Sequence, residues 1–459
     1  MVVSAAPALS GRPAVAGAKV VAGVFVLLLL AVGLVPAIDG TSTSLAKALA
    51  GGLGMASVLA LAIARYDLAV GLGFFLQGVV LFEPAPPDAV FAIVIAVAVV
   101  TGRFHITRAP RSVLGLLALL IVLNLVSMLD AVGPGAAVRF FFITAYLAIF
   151  AIWMCGYVDS RRRARIVVVA WLAIAALSAV LAILAVTFSV PYREVLLNTA
   201  RARALFEDPN VYGPFLVPIT VILLEQRLSR APLLRMRTWL STALLLTLAL
   251  GILFSYSRAA WANTLIAVLI MLGCSAFRRA GAQRAMGALV GLLLVGVAVV
   301  SVIETTGSVG FLDQRAKVQS YDTQRFGAQR FGYELGWTHP IGIGPGQFQF
   351  HYPVESHSTY VRVMSEQGIL GIATWIGVLL TTLVLAIRNV ALGRDTYGIG
   401  SAALLGAWCG LIFNSAVVDT LHWRHLWMVA ALIWAGAMRD RVAAQKQRRA
   451  ARAAALVRR

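Results

Sequence analysis

Long apolar stretches, each closed by a short polar break, recur along almost the whole chain. The clear runs are residues 18–38, 45–64, 113–129, 138–158, 166–187, 211–224, 239–254, 259–277, 285–303, 363–387, 397–417 and 426–438. Each is near, or somewhat short of, the roughly 20 residues a tilted helix needs to cross about 30 Å of hydrocarbon. Two shorter runs, 68–82 and 89–101, flank the turn Glu83-Pro84-Ala85-Pro86-Pro87-Asp88. They predict either a tight hairpin of spans or a re-entrant pair; because they come as a pair, neither choice alters sidedness. The pattern predicts an all-α, polytopic transmembrane helical bundle of roughly 12 to 14 spans. The expected divisions are an N-terminus (1–17), an N-terminal transmembrane bundle (18–303), a large loop (304–360), C-terminal spans (361–438) and a basic tail (439–459).

Composition sharpens this reading. Of 459 residues, 60% are hydrophobic and 13% charged, against about 25% charged in ordinary soluble domains. No soluble core of this size could hide so much apolar surface. The net charge of +20, from 39 Lys+Arg against 19 Asp+Glu, sits mostly in short loops between apolar runs. No basic helix with interleaved aromatics occurs, so nucleic acid is not an expected partner. The basic loops, 103–111, 161–165, 227–237, 278–284, 388–394 and the tail after Arg439, alternate in the register that puts both termini in the cytoplasm. The tail, rich in Lys446, Arg448, Arg449 and Arg452, reads as an anchor to the cytoplasmic membrane surface. The first run follows only Arg12 and Lys19, is long for a signal peptide and precedes many spans, so it reads as an uncleaved first span. Cys155, Cys274 and Cys409 lack disulfide or metal spacing and read as small buried hydrophobes.

The opposite face carries three connections: 188–210, the turn around 255–258, and 304–360, the one long hydrophilic segment. These break the charge rule, because they hold Arg193, Arg201, Arg203, Arg258, Arg315, Arg325 and Arg330 with His339, His351 and His357. Two explanations stand. The arginines pair with Glu194, Glu207, Asp208, Asp313, Asp322, Glu334 or lipid phosphates; or they receive an anionic substrate, since a guanidinium offers phosphate a planar fork of donors and stays charged when partly buried. No Asp, Glu, Lys or His lies near the middle of a span, which argues against an ion-coupled permease. Asn124, Asn263 and Asn414 are the main polar groups within spans, where interhelical hydrogen bonding is their expected role.

Four segments carry chemistry. Arg201-Ala202-Arg203 precedes Asp208-Pro209-Asn210, a turn and helix-start signal with Asn210 as candidate N-cap; it is either a structured return to the membrane or a basic pair presented to an anion. Ser255-Tyr256-Ser257-Arg258 sits at a span boundary, where the arginine either snorkels to headgroups or grips a phosphate. The stretch from Arg325 to Phe348 contains Pro340-Ile341-Gly342-Ile343-Gly344-Pro345-Gly346. It follows no strand and opens no nucleotide-binding helix; it predicts a tight loop that lets backbone approach a ligand or another helix. Finally, His357-Ser358-Thr359-Tyr360-Val361 leads to Glu366-Gln367-Gly368-Ile369-Leu370-Gly371. A histidine at a membrane surface, with an ordinary pKa near ~6.5, can take a proton from a sugar hydroxyl. There is no Asp-x-Asp pair, and neither His351 with His357 nor the run His422-Trp423-Arg424-His425 has clear metal-ligand partners, so no metal and no cofactor are expected.

The order of these segments resembles the O-antigen ligase family, within the wider group that also holds O-antigen polymerases and protein O-oligosaccharyltransferases. That pattern reads here as Arg201 with Pro209-Asn210, Ser257-Arg258, Arg325 with Pro340-Ile341-Gly342-Ile343-Gly344, His357-Ser358-Thr359-Tyr360-Val361, and Glu366-Gln367-Gly368-Ile369-Leu370-Gly371. It spans 201–371 and departs twice, with Ala204 where the family has Gly and Ser358 where it has Asn. The resemblance implies a GT-C-like glycosyltransferase of the inner membrane with a periplasmic active site. The donor would be an undecaprenyl-diphosphate-linked polysaccharide and the acceptor lipid A–core oligosaccharide; transfer would be en bloc, metal-independent and inverting. His357 would be the catalytic base, and Arg201, Arg203, Arg258 and Arg325 would bind the diphosphate. A polymerase remains the nearest rival, since Arg325 to Gly336 matches an Arg-x10-Gly spacing; a protein O-oligosaccharyltransferase is third, and a polysaccharide or lipid-intermediate transporter is the alternative of another class. One large outer loop late in the chain, with no added outer C-terminal domain, favours the ligase.

Overall fold

A computed structural model describes residues 44–82, 85–276 and 320–457. The expected first span (18–38), the span 285–303, the basic loop 278–284, Asp313 and Arg315 lie outside the described residues. The described chain is an all-α polytopic membrane protein. Its helices are α1 Ser44–Ala64, α2 Tyr66–Leu76, α3 Pro86–Val100, α4 Arg111–Ser127, α5 Pro134–Tyr157, α6 Arg161–Thr187, α7 Pro209–Leu228, α8 Thr238–Phe254, α9 Arg258–Ala276, α10 Ser320–Thr338, α11 Thr359–Ala391, α12 Ser401–Val417 and α13 Arg424–Val457. The only paired strands among the described residues are β1 Leu197–Asn198 and β2 Arg201–Ala202, a small hairpin between α6 and α7.

Six of these helices are long and apolar enough to cross a membrane: α4 with its following turn, α5, α6, α7, α9 and α11. Residues 51–64, 66–76, 86–100, 238–254 and 401–417 form shorter apolar helices. Among the described residues, the larger span number expected from the apolar runs therefore resolves into two length classes. Apolar composition sets the run, but turns trim the helix inside it. The prolines at 86 and 87, for example, start α3 from a turn, because proline suits the first helical positions and not a helix interior. In α13, Arg439, Asp440 and Arg441 end the apolar stretch while the helix continues.

The 68–101 pair forms a hairpin of two short helices. At one end Arg103 lies over the Tyr66 ring, and Asp67 pairs with Arg162 and Arg163 at the start of α6. At the other, Val80 donates to the Leu205 carbonyl at 2.7 Å, and Asp88 receives Arg424 through Nε and Nη2 at 2.8 and 2.6 Å. Between the ends, the Phe74, Phe91, Phe150 and Trp153 rings pack α2 and α3 against α5. The basic loops meet at the first of these ends: Arg108 and Arg163 share Asp159, Arg161 donates to the carbonyls of Ala231 and Pro232, Arg394 pairs with Asp440, and Arg439 with Asp395.

The centre of the bundle is α7. Its apolar window is 78% buried, against 28–50% for the other long helices. Beside it, α9 and α12 lie along one another. Gly406 faces the Ala267 carbonyl and Gly410 the Asn263 side chain, so closely that a Cβ at either would collide. Small residues four apart permit this backbone approach. The expected role of the intramembrane asparagines is not seen: the side-chain amides of Asn124, Asn263 and Asn414 are buried and make no hydrogen bond.

Candidate active site

The connection from α6 to α7 is a folded loop. Arg193–Leu196 makes one helical turn, then Leu197 pairs with Ala202 and Asn198 with Arg201 across the hairpin. The next bend places Ala204 at φ 49, buried. This is the position where the resembled family has glycine, and the left-handed backbone supplies the reason. Asp208 then caps α7, its carboxylate accepting from the Asn210 N–H at 2.5 Å. The N-cap is thus Asp208 and not Asn210, which frees the Asn210 amide for another task.

That task is to hold Arg201. Its Nη2 donates to Asn210 Oδ1 at 2.8 Å, and its Nε to the Ser255 carbonyl at 3.1 Å. One guanidinium therefore joins the loop before α7 to the turn between α8 and α9. In that turn Tyr256 takes φ 47 and Ser257 Oγ accepts from the Ala260 N–H at 3.4 Å. Ser257 is thus the cap of α9, and Arg258 is its first residue. Gly213 on α7 makes room, since a Cβ there would sit 2.6 Å from Ser255 Oγ and 2.9 Å from Ala260 Cβ.

Arg203 is placed differently. Its Nε, Nη1 and Nη2 donate to the carbonyls of Val195, Glu207 and Glu194 at 3.0, 3.2 and 3.3 Å. It braces the loop that presents Arg201. Pairing of outer arginines with carboxylates is seen in Arg330 with Glu334, an exposed pair one helical turn apart, a geometry worth little.

Within the long hydrophilic segment, Ser320–Thr338 forms α10, which lies on α11. Gly332 fits against Val361 and Phe348, and Gly336 against the Met364 backbone. Arg325 on α10 donates to the Val417 carbonyl at the end of α12. The glycine-rich loop after α10 docks on a helix. Gly368 (φ 72, ψ −169) breaks α11, and the loop fills the break: Ile343 N–H donates to Ser365 O, Gly344 N–H to Glu366 O and Ile369 N–H to Pro340 O, each at 3.0 Å. Gly342 and Gly368 both have positive φ and abut backbone, so the Glu-x-Gly-x-x-Gly and Pro-x-x-Gly-x-Gly segments are two halves of one contact. Gln347 extends it to the α4–α5 turn by exchanging hydrogen bonds with Gly133 at 2.7 and 3.1 Å.

His357 stands just before α11 at φ 46. A non-glycine residue held there signals local strain of the kind that gathers at functional sites. Ser358, the second departure from the family pattern, is the α11 N-cap. Its Oγ accepts from Val361 N–H at 3.5 Å and donates to the Ser415 carbonyl at 3.4 Å. Serine and asparagine cap helices about equally well, so the change keeps the function of the position. Burial lowers the pKa of His357 and Arg325 lowers it further, while Asp208 and Asp419 oppose without cancelling. The imidazole is therefore neutral at pH 7 and within the field of groups from three segments far apart in sequence.

Behind it lies a charge cluster that the sequence reading did not anticipate. Arg362 pairs with Glu366 at 3.1 Å and with Asp419 in the turn after α12, and its guanidinium lies 4.6 Å from the Phe140 ring centre. Asp419 also accepts from Thr359 Oγ1 at 3.2 Å. Burial works against its charge, but the Arg362 guanidinium, with hydrogen bonds from Arg362 and the Leu421 N–H, holds its carboxyl below the ordinary value. His422 meets Thr144 Oγ1 at 3.0 Å, and burial with Arg362 pushes its pKa down to about 3. The available signal was a carboxylate just past an apolar run on the same face as His357. Among the described residues, no group of three or more His, Cys, Asp or Glu side chains is placed to hold a metal ion.

The segments thus close into one site at the end of the bundle opposite the basic loops. Residues 243–376 match the family model described as O-antigen ligase. The matched segment supports an assignment to the O-antigen ligase family. The matched stretch includes Ser257-Arg258, Arg325, the glycine loop, His357 and Glu366 to Gly371, whereas Arg201, Arg203 and Asp208 lie before it. The match supports glycosyltransferase-type O-antigen ligase or polymerase chemistry in a multi-pass membrane protein. No curated protein matches the chain.

Proposed function

We propose that this chain is an O-antigen ligase that transfers a polysaccharide en bloc from undecaprenyl diphosphate to lipid A–core oligosaccharide at the periplasmic face of the inner membrane, with both termini cytoplasmic. The observation that supports the reading is the strained backbone of His357 at the start of α11, with Arg325, Asp208 and Asp419 from three separate segments near enough to act on its charge. Asp208 caps the helix whose Asn210 holds Arg201. His357 therefore lies within electrostatic reach of the loop that presents Arg201.

In this mechanism His357 takes the proton of the acceptor hydroxyl as that oxygen attacks the anomeric carbon. The bond from the anomeric carbon to the phosphate oxygen breaks from the opposite side, so the anomeric configuration inverts. Arg201, Arg258 and Arg325 bind the diphosphate and stabilise the charge that develops on it. Arg203 supports Arg201 by fixing its loop. Asp208 and Asp419 stabilise the imidazolium that forms. Both substrates are lipid-anchored in one plane, which supplies much of the proximity.

The test is transfer by the purified full chain with lipid-linked polysaccharide and lipid A–core as substrates and EDTA present. A ladder of modified lipid A–core is the expected result and indicates metal-independent ligation. Longer chains on the lipid carrier with no ladder would assign a polymerase instead, and a glycosylated protein acceptor would assign a protein O-oligosaccharyltransferase. The packing of Gly336 on Met364 gives the glycine of the Arg-x10-Gly spacing a structural task.

A further inference from the structure

At the other end of the molecule, where the basic loops gather, α4 and α13 enclose a cavity of about 570 Å³ lined by Ile106, Ala109, Arg111, Leu114, Met438 and Arg441, among others. That volume falls within the roughly 300–1,000 Å³ of ligand-binding clefts. Its lining has two characters. Ala109 and Met438 are buried, Leu114 is half-buried, and Ile106 is apolar yet 50% exposed. Arg111 and Arg441 are exposed.

Several arginines at this end are committed to carboxylates: Arg108 and Arg163 to Asp159, Arg162 to Asp67, Arg394 to Asp440 and Arg439 to Asp395. Arg111 and Arg441 make no ion pair with any described residue, although they face one cavity from different helices. Asp440 is the acid nearest in sequence to Arg441, and Arg394 takes it. The height of the cavity along the bundle is equally specific. Arg111 begins a membrane-crossing helix, and Met438 ends the apolar part of α13. The cavity therefore opens where hydrocarbon gives way to water, with cations on its rim and apolar atoms in its floor.

We propose that this cavity binds the phosphate of an anionic membrane lipid, with Arg111 and Arg441 on the phosphate and Ile106, Leu114 and Met438 against the first acyl carbons. The site is remote from His357 and separate from the donor diphosphate, and it rests on no assumption about the reaction. An arginine fork suits a phosphate, and the apolar floor suits a lipid over a soluble phosphate. It would fix α4, whose far end carries the Gly133 turn clamped by Gln347, against α13.

The full chain in detergent is titrated with dioleoylphosphatidylglycerol or dioleoylphosphatidylcholine, and bound lipid is counted by native mass spectrometry. Arg111→Gln/Arg441→Gln is compared with Arg165→Gln/Arg230→Gln, which removes two equally exposed charges elsewhere at the same end. Each cation near an anionic lipid contributes roughly fivefold, so the first pair should weaken phosphatidylglycerol binding roughly thirtyfold. The control pair should change it less than about twofold, and phosphatidylcholine should be insensitive to both. Since these arginines have no ion-pair partner to lose, both variants should elute from a sizing column like the wild type. Inorganic phosphate identifies the source: failure to displace the lipid supports a lipid site, and full displacement at equal concentration supports a phosphate site filled from solution. Equal loss in both pairs, or no loss in the first, overturns the proposal.

Discussion

The Arg362 guanidinium reaches across to the Asp419 carboxylate, joining the first turn of α11 to the turn that follows α12. The same guanidinium holds Glu366, 3% exposed, next to the break that receives the glycine loop. A buried pair of this kind is poor evidence of net stability, but removing one partner leaves the others uncompensated. Replacing Arg362 by Leu strands two carboxylates and should lower unfolding free energy by about 3–5 kcal/mol. Glu366→Gln, which keeps a hydrogen-bond acceptor for Arg362, should cost clearly less. Thermal unfolding in detergent ranks the two; equal losses would show that the cluster does not act as a charge network.

His357 should be indispensable for transfer and dispensable for folding. His357→Ala is expected to reduce the rate by at least about 10²–10⁴, the usual share of a general base, with an unchanged elution profile. Because the residue sits at φ 46, His357→Gly should be equally inactive but at least as stable as His357→Ala. Near-normal transfer by either variant would remove His357 from the mechanism.

The direction of the His357 shift fixes a pH dependence. Burial and Arg325 place its folded pKa below the ordinary 6.5, so the base stays neutral at pH 7 and is lost only when pH falls through that lowered value. The acid limb of the rate profile should therefore lie below 6.5. Arg325→Gln removes a cation that lowers the pKa and should move the limb upward. Stability follows with the same sign: the unfolded chain binds a proton at this histidine at higher pH than the folded one, so stability falls as pH drops below about 6.5. An acid limb above 6.5, or one unmoved in Arg325→Gln, would contradict the electrostatic account.

Arg201 and Arg203 should separate by phenotype. Arg201→Ala, Arg258→Ala and Arg325→Ala should each lower transfer by about 10²–10³, as loss of a donor to developing charge does elsewhere. Arg203→Ala should act first on stability. It forfeits hydrogen bonds to three carbonyls on a part-exposed loop, a loss of about 1–3 kcal/mol, and its residual activity should recover on cooling. The pattern is read from a transfer assay at two temperatures beside a melting curve.

Gly368 tests the docking of the glycine loop. Its φ of 72 disfavours any side chain, and a Cβ would meet the Pro340 carbonyl. Gly368→Ala should destabilise by about 2 kcal/mol or more, since strain and overpacking add. Ala204→Gly offers the contrast. It relieves φ 49 at the cost of one buried methyl, so its melting temperature should stay close to that of the wild type.

Much of this protein was decided locally and so could be read from its sequence. An apolar run must become a helix wherever no water can satisfy its backbone, which is why the runs at 113–129, 138–158, 166–187 and 363–387 reappear as α4, α5, α6 and α11. Caps and turns are local too: Ser257 and Ser358 start α9 and α11. The order of the arginine, glycine and histidine segments needed no coordinates. What the sequence left open depends on which surfaces meet. The 68–101 pair became a hairpin of two short helices that meets Arg163 near one end and Leu205 near the other. Arg203 turned to its own loop, and Asn124, Asn263 and Asn414 found no partner. Arg362 and Asp419, 57 residues apart, became a pair. Periodicity and capping act over a few residues, whereas the partner of a buried charge or amide is fixed only when helices distant in sequence pack together.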